Sequence, residues 1–294
     1  MFVLDEAPFT RIRGGRFRFL WYKCSISGLK QVGSVLIFAL KLFLTPLFIG
    51  SATLAGRRWG PAVNGLLVGL PLTTGPISFI LAHQYGLGFA SKAAAGNLAG
   101  QISMCVFCLI YSLTAQKRNW LISAVTAISA FLLSTYLLNH FTWRLLPAFV
   151  ALLLVIALVE RLIPRQSFSA TTSTHPRWDL PARIIVATSF VILLTTFANT
   201  LGPQLSGLIS TFPIFGVVFA TFTHSQQGAA AVSKLLRGIV LSSVSYAFFF
   251  LIVGTWLTHG GIALTYTVAL LVTVGISGMF YFATRRGRVQ GIQE

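Results

Sequence analysis

From residue 33 to residue 283 the chain is a succession of apolar runs, near 33–55, 61–82, 91–115, 119–139, 145–163, 182–201, 204–223, 231–256 and 262–283. Each is long enough to cross about 30 Å of hydrocarbon as a helix, and a helix satisfies its own backbone where no water can. With 55% hydrophobic and 9% charged residues, the 294-residue chain is no soluble domain around one core. It reads as an all-α polytopic membrane protein of about nine transmembrane helices.

The second run is an odd one. "GPAVNGLLVGLPLTTGPISF", residues 60–79, holds Gly60, Pro61, Gly65, Gly69, Pro71, Gly75 and Pro76, and interior prolines remove helix hydrogen bonds and clash with the preceding turn. Shifting the chain by 142 positions lays residues 60–96 on 202–238 without a gap. Gly60, Pro61, Gly65, Leu66, Pro71, Gln84, Gly86, Ser91, Lys92 and Gly96 then meet Gly202, Pro203, Gly207, Leu208, Pro213, Gln226, Gly228, Ser233, Lys234 and Gly238. The matches fall on glycine, proline and polar positions that hydrophobicity alone would not align.

The repeat divides the chain into a basic head, 1–31; a first four-span repeat, 32–140; a linking helix and polar loop, 141–181; a second four-span repeat, 182–284; and a basic tail, 285–294. An offset of five spans is odd, so equivalent helices are expected to cross in opposite directions, as in secondary transporters with inverted-topology repeats. Loops after odd-numbered spans hold thirteen Lys and Arg, among them Arg57, Arg58, Arg183 and Arg237, against Lys92 and Arg144 after even-numbered ones. The positive-inside bias then puts the C-terminus in the cytoplasm. The head, with Arg11, Arg13, Arg16, Arg18, Lys23 and Lys30, lacks the apolar core of a signal peptide. It reads either as an arm on anionic membrane lipid or as an extension from a misplaced start.

Only Asp5, Glu6, Glu160, Asp179 and Glu294 are acidic, and the net charge is +17. Carboxylates are the usual intramembrane partners of protons and cations, so a small anionic or neutral solute is the better expectation, although positive-inside loops account for most of the charge. Of the five, Glu160 is read as the one near a span. Lys41, with Thr45 one turn later, lies inside the first run, and Arg183 is its repeat equivalent; snorkelling or an anionic partner would accommodate each cation. Around the two breaks, Pro71 with Thr73, Thr74 and Ser78, and Pro213 with Ser210 and Thr211, supply hydroxyls beside freed backbone groups. These, with Lys41, Thr45 and Arg183, are the candidate substrate-binding residues, against the simpler reading of kinks whose loose backbone groups the same hydroxyls satisfy. No zinc-protease helix, phosphate loop, nucleophile elbow or acidic cluster occurs, so no catalytic residue, metal, cofactor or nucleic acid is expected and the chain does not read as an enzyme.

"SGLISTFPIFGVVFATFTHSQQGAAAVSKLLRG", followed by "SYAFFFLIVG", resembles the GlpM-like family of small four-span membrane proteins. The resemblance covers about 100 residues of the second repeat and implies a duplicated, fused unit. The whole chain also resembles bacterial inner-membrane proteins carrying "GRRWGP" and "GLPLTTGPIS", which implies an inner-membrane location. Two functions are expected: a transporter or exporter working through broken spans 2 and 7, or a non-transporting scaffold or assembly factor linked to envelope polysaccharide production.

Overall fold

The prolines that look like faults in the sequence stand where helices begin. A computed structural model describes residues 43, 45–71, 74–164, 178–200 and 212–290, and within these the side chains of residues 84, 194–200 and 283–290 lie outside the description. Helix α1 covers 45–59. It is followed by α2 (Pro61–Val68), α3 (Thr74–Tyr85), α4 (Leu87–Thr114), α5 (Trp120–Leu138), α6 (Leu145–Leu162), α7 (Asp179–Thr200), α8 (Ile214–Gly260) and α9 (Ile262–Gln290). Pro61 is the first residue of α2, Pro76 is in the first turn of α3, and Pro147 and Pro181 are in the first turns of α6 and α7. A first-turn N–H has no intrahelical partner to lose, so proline costs little there.

The second apolar run is therefore two short helices. The chain breaks between Val68 and Thr74, with Pro71 buried in the break. Backbone bonding nearly bridges it: the Gly69 N–H donates to the Gly65 carbonyl at 3.1 Å and the Gly75 N–H to the Pro71 carbonyl at 2.8 Å.

Two further junctions match across the 142-residue offset. Gly86, between α3 and α4, has φ 89°, and Gly228, inside α8, has φ 81°. Both sit where a side chain would be strained, and Gly228 divides α8 into two helices that meet at a kink.

Glycine also sets how closely α2 approaches α8. A Cβ on Gly65 would lie 1.9 Å from the Leu235 carbonyl oxygen, and one on Gly238 would lie 2.3 Å from the Ala62 carbonyl oxygen. The two backbones touch, in the manner of small-residue helix interfaces in membranes. Gly69 continues the contact against Ser242.

A long inter-helix seam joins α4 to the second part of α8. Ser91 Oγ donates to the Gly254 carbonyl at 2.7 Å, Gln101 Nε2 to Ser243 Oγ at 2.8 Å, and Gln116 Nε2 to Ser233 Oγ at 3.1 Å. Residue numbers rise along one helix as they fall along the other, so the pair is antiparallel. Phe107, Leu98, Leu235, Leu236, Ile239 and Phe250 are among the fully buried side chains of the core, and the free thiols Cys105 and Cys108 are buried on α4.

The outside is apolar. Leu133, Leu146, Leu154, Leu271 and Met279 are 61%, 63%, 67%, 67% and 74% exposed, a surface that water would reject and lipid accepts. Among the described residues five helices are long and apolar enough to cross a membrane: Leu87–Thr114, Trp120–Leu138, Leu145–Leu162, Ile214–Gly260 and Ile262–Phe282. The protein is a multi-pass helical membrane protein.

Candidate functional site

The largest buried ionic cluster among the described residues gathers around Asp179, a residue whose sequence neighbourhood reads as a loop. The seventh helix starts three residues earlier than the apolar run at 182, so Asp179 opens α7. Its carboxylate is the acid favoured in a first helical turn, and Arg183 follows it one turn later. Arg183 Nε donates to Asp179 Oδ1 at 2.7 Å, Gln226 Nε2 donates to the same oxygen at 2.7 Å, and Arg57 Nη2 donates to Oδ2 at 3.0 Å. Asp179 and Arg183 are 0% and 2% exposed. Both Phe219 and Phe222 lie beside the Arg183 guanidinium, at 5.6 and 5.0 Å from ring centre to Cζ, within cation–π range.

Burial pushes the Asp179 carboxyl upward, but the hydrogen bond and charge of Arg183, with the bonds from Gln226 and Arg57, outweigh it and hold its pKa below the ordinary aspartate value. The residue stays ionised. Two guanidinium groups facing one carboxylate leave the cluster with a surplus positive charge.

A small cavity of about 20 Å³ opens beside this cluster, lined by Thr53, Arg57, Asn64, Asp179, Arg183 and Gln227 among others. That is room for one or two water molecules. Four residues of its lining carry unsatisfied polar atoms: Arg183 Nη1, Arg57 Nε, Asn64 Oδ1 and Thr53 Oγ1 are buried without a hydrogen-bond partner. The lining comes from α1, α2, α7 and, through Thr223 and Gln227, the first part of α8, so the cavity lies between the first and second halves of the chain.

A second ion pair joins Glu160, at the end of α6, to Arg237 on α8. The expectation that Glu160 alone is the acid near a span is thus corrected: Asp179 is inside a helix and more deeply buried. The signal was the Asp179–Arg183 spacing at a helix start. That Arg57 and Gln226 converge on the same carboxylate is a tertiary fact no local pattern carries.

Of the sequence-predicted site residues that the structure describes, Arg183 alone lines the cavity. Thr45 is buried on α1, Pro71 is buried in the break of the second span, and Pro213 caps α8. Thr74 and Ser78 stand one turn apart on α3, where Ser78 Oγ and the Tyr266 hydroxyl share a hydrogen bond at 2.8 Å. Lys41, Thr73, Ser210 and Thr211 lie outside the described residues. The cavity borders Asn64 in the first half of α2, and the eight residues of that helix span about 12 Å, so the cluster lies nearer the Arg-rich end of the bundle than the break does. No group of three or more His, Cys, Asp or Glu able to hold a metal occurs among the described residues.

Comparison with protein-family models, with curated proteins and with solved structures finds no match to this chain.

Proposed function

We propose that this protein is a transporter or exporter of a small anionic or neutral solute, built from two inverted four-helix repeats, 32–140 and 182–284, around a linking helix. The observation that carries the reading is the hydrogen bond from Gln101 to Ser243, two positions separated by 142 residues, the offset of the sequence repeat itself. Equivalent positions meet each other only on a symmetry axis, and α4 and α8 run antiparallel there, as an axis in the membrane plane requires.

The contacts agree with the span count. Arg57 with Asp179, Glu160 with Arg237, and Gln116 with Ser233 each join chain ends that the count places on one face. Ser91 with Gly254 joins two ends that it places on the other. By the positive-inside bias the first face is cytoplasmic, and the bacterial inner membrane suggested by the sequence resemblance fits that assignment. The broken second span and the polar cavity between the halves are the parts such a carrier uses.

Reconstituted in proteoliposomes, the protein is expected to exchange small anions or neutral polar solutes, and replacing Pro71 and Pro213 with alanine is expected to alter the rate. Flux indifferent to those changes, and to alanine at Thr73 and Thr74, argues against the reading. A cysteine-accessibility scan through 65–80 and 207–222 checks the topology: reactive positions in the two segments should open to opposite sides.

The second reading, a non-transporting scaffold, draws support from the close seating of α2 on α8 and from a free volume of about 20 Å³. Its mark is a protein that moves no solute and whose loss in cells is restored by variants lacking the hydroxyls at Thr74 and Ser78.

A further inference from the structure

Arginine side chains buried near a membrane normally bring a partner for each charge, yet the cluster at the Arg-rich end of the bundle does not close on itself. Asp179 has both oxygens engaged, by Arg57 on one and by Arg183 and Gln226 on the other. Beyond those bonds, Arg183 Nη1 and Arg57 Nε remain buried and unpaired at the same cavity. An unmade hydrogen bond on a charged buried group is expensive, and here two such donors from different helices border one space.

We propose that this cavity binds the oxyanion end of a solute, a carboxylate or a phosphoryl group, between the guanidinium groups of Arg57 and Arg183. The surplus of one positive charge over Asp179 suits a single negative charge. Guanidinium N–H groups match the oxygen pair of a carboxylate or phosphate better than a point cation does. Asn64 Oδ1 and Thr53 Oγ1 are unpaired on the same walls, so the ligand's own hydroxyl finds an acceptor. A free volume of about 20 Å³ admits the oxygens of the oxyanion end in place of one or two waters and little else, so the remainder of the ligand lies toward the mouth beside Arg57, whose side chain is 27% exposed. Within the cavity Asp179 acts as a positioning residue: it fixes both guanidinium groups and does not touch the anion.

The inference rests on the transport reading only in making this anion the cargo; binding itself is measurable without flux. The full chain, purified in an uncharged detergent, is titrated with sodium acetate and with sodium phosphate against sodium chloride at equal ionic strength, following the thermal midpoint and heat of binding. Acetate or phosphate should bind at least about tenfold more tightly than chloride. Arg183→Lys keeps a cation beside Asp179 but removes the fork, and should weaken oxyanion binding about tenfold or more while the ligand-free midpoint stays close to the parent's. Arg57→Gln, at the more exposed arginine, should weaken it in the same direction and guards against a folding defect in the first variant.

A parallel set in lipid nanodiscs of phosphatidylcholine with and without phosphatidylglycerol separates the sources. Retention of phosphatidylglycerol that Arg183→Lys abolishes supports an oxyanion site filled by a lipid headgroup. Binding of free acetate or phosphate that the same variant abolishes supports a soluble ligand. Equal responses to acetate, phosphate and chloride, or titrations unchanged in both variants, overturn the proposal. Binding without flux leaves this site standing and removes the transport reading; flux without binding does the reverse.

Discussion

Two of the polar regions that tie the first half of the chain to the second are built on opposite principles. Along the seam between α4 and α8, the amides of Gln101 and Gln116 and the hydroxyl of Ser91 each find an acceptor across the helix boundary. Around Asp179, full charges converge and several donors and acceptors stay unmatched. Neutral groups between membrane helices can be satisfied pairwise at modest energy. Charges are tolerated nearer the Arg-rich end, where surplus polarity is available to a ligand or to a second conformation. The seam therefore holds the two halves together, and the cluster is where charge is left over.

The comparison breaks most severely at Asp179. Replacing it with alanine strands Arg183 as an uncompensated buried charge and should cost about 3–5 kcal/mol, read as a large fall in the thermal midpoint of the detergent-solubilised protein. The paired change Asp179→Asn with Arg183→Gln removes both charges and should recover most of that loss; a double variant as unstable as Asp179→Ala would show that packing, not charge, holds the site.

Acid probes the same pair. The folded carboxyl titrates below its unfolded value of about 3.9, so its contribution is present above that value and is lost as pH falls through the folded one. Midpoints measured from pH 7 downward should hold to about 5 and drop below about 4, and the drop should shrink in the doubly neutral variant.

Packing comes next in size. Gly65→Ala forces a Cβ into the Leu235 carbonyl and should destabilise by about 1–3 kcal/mol, the range for overpacking. A similar loss at Gly238→Ala, and no further sum when the two are combined, would mark them as one contact in a double-mutant cycle. In the seam, Gln101→Leu and Ser243→Ala should each cost about 1 kcal/mol, with a coupling near 0.6 kcal/mol typical of hydrogen bonds between membrane helices. The smallest change is expected on the lipid face: Leu154→Ala on α6, at a side chain 67% exposed, should stay within about 0.5 kcal/mol.

Much of the architecture was legible because it rests on local rules. Apolar run length announces the long helices, and the glycines and prolines of 60–79 mark a real break, since Pro61 and Pro76 open separate helices around it. The 142-residue offset was legible for the same reason: Gly86 and Gly228, which it pairs, both occupy positive φ that other residues avoid. The site was only partly legible. Arg183 was visible as a cation near the start of a span, but its partner was hidden by a helix boundary misplaced by one turn, and Arg57 reaches Asp179 from 122 residues away. Glycine matching misled in a second way. Gly65 touches Gly238, which is the repeat partner of Gly96 and not of Gly65, so aligned positions need not be contacting ones.

The contact between Gln101 and Ser243 has an ancestral consequence. In a dimer of two identical chains, a residue on the two-fold axis faces its own copy and must be complementary to itself. Once both units are written into one chain, as the proposed repeat has it, that demand lapses. An amide on one side and a hydroxyl on the other give the axis an assigned donor and acceptor, a direction that a symmetric pair of separate chains cannot encode.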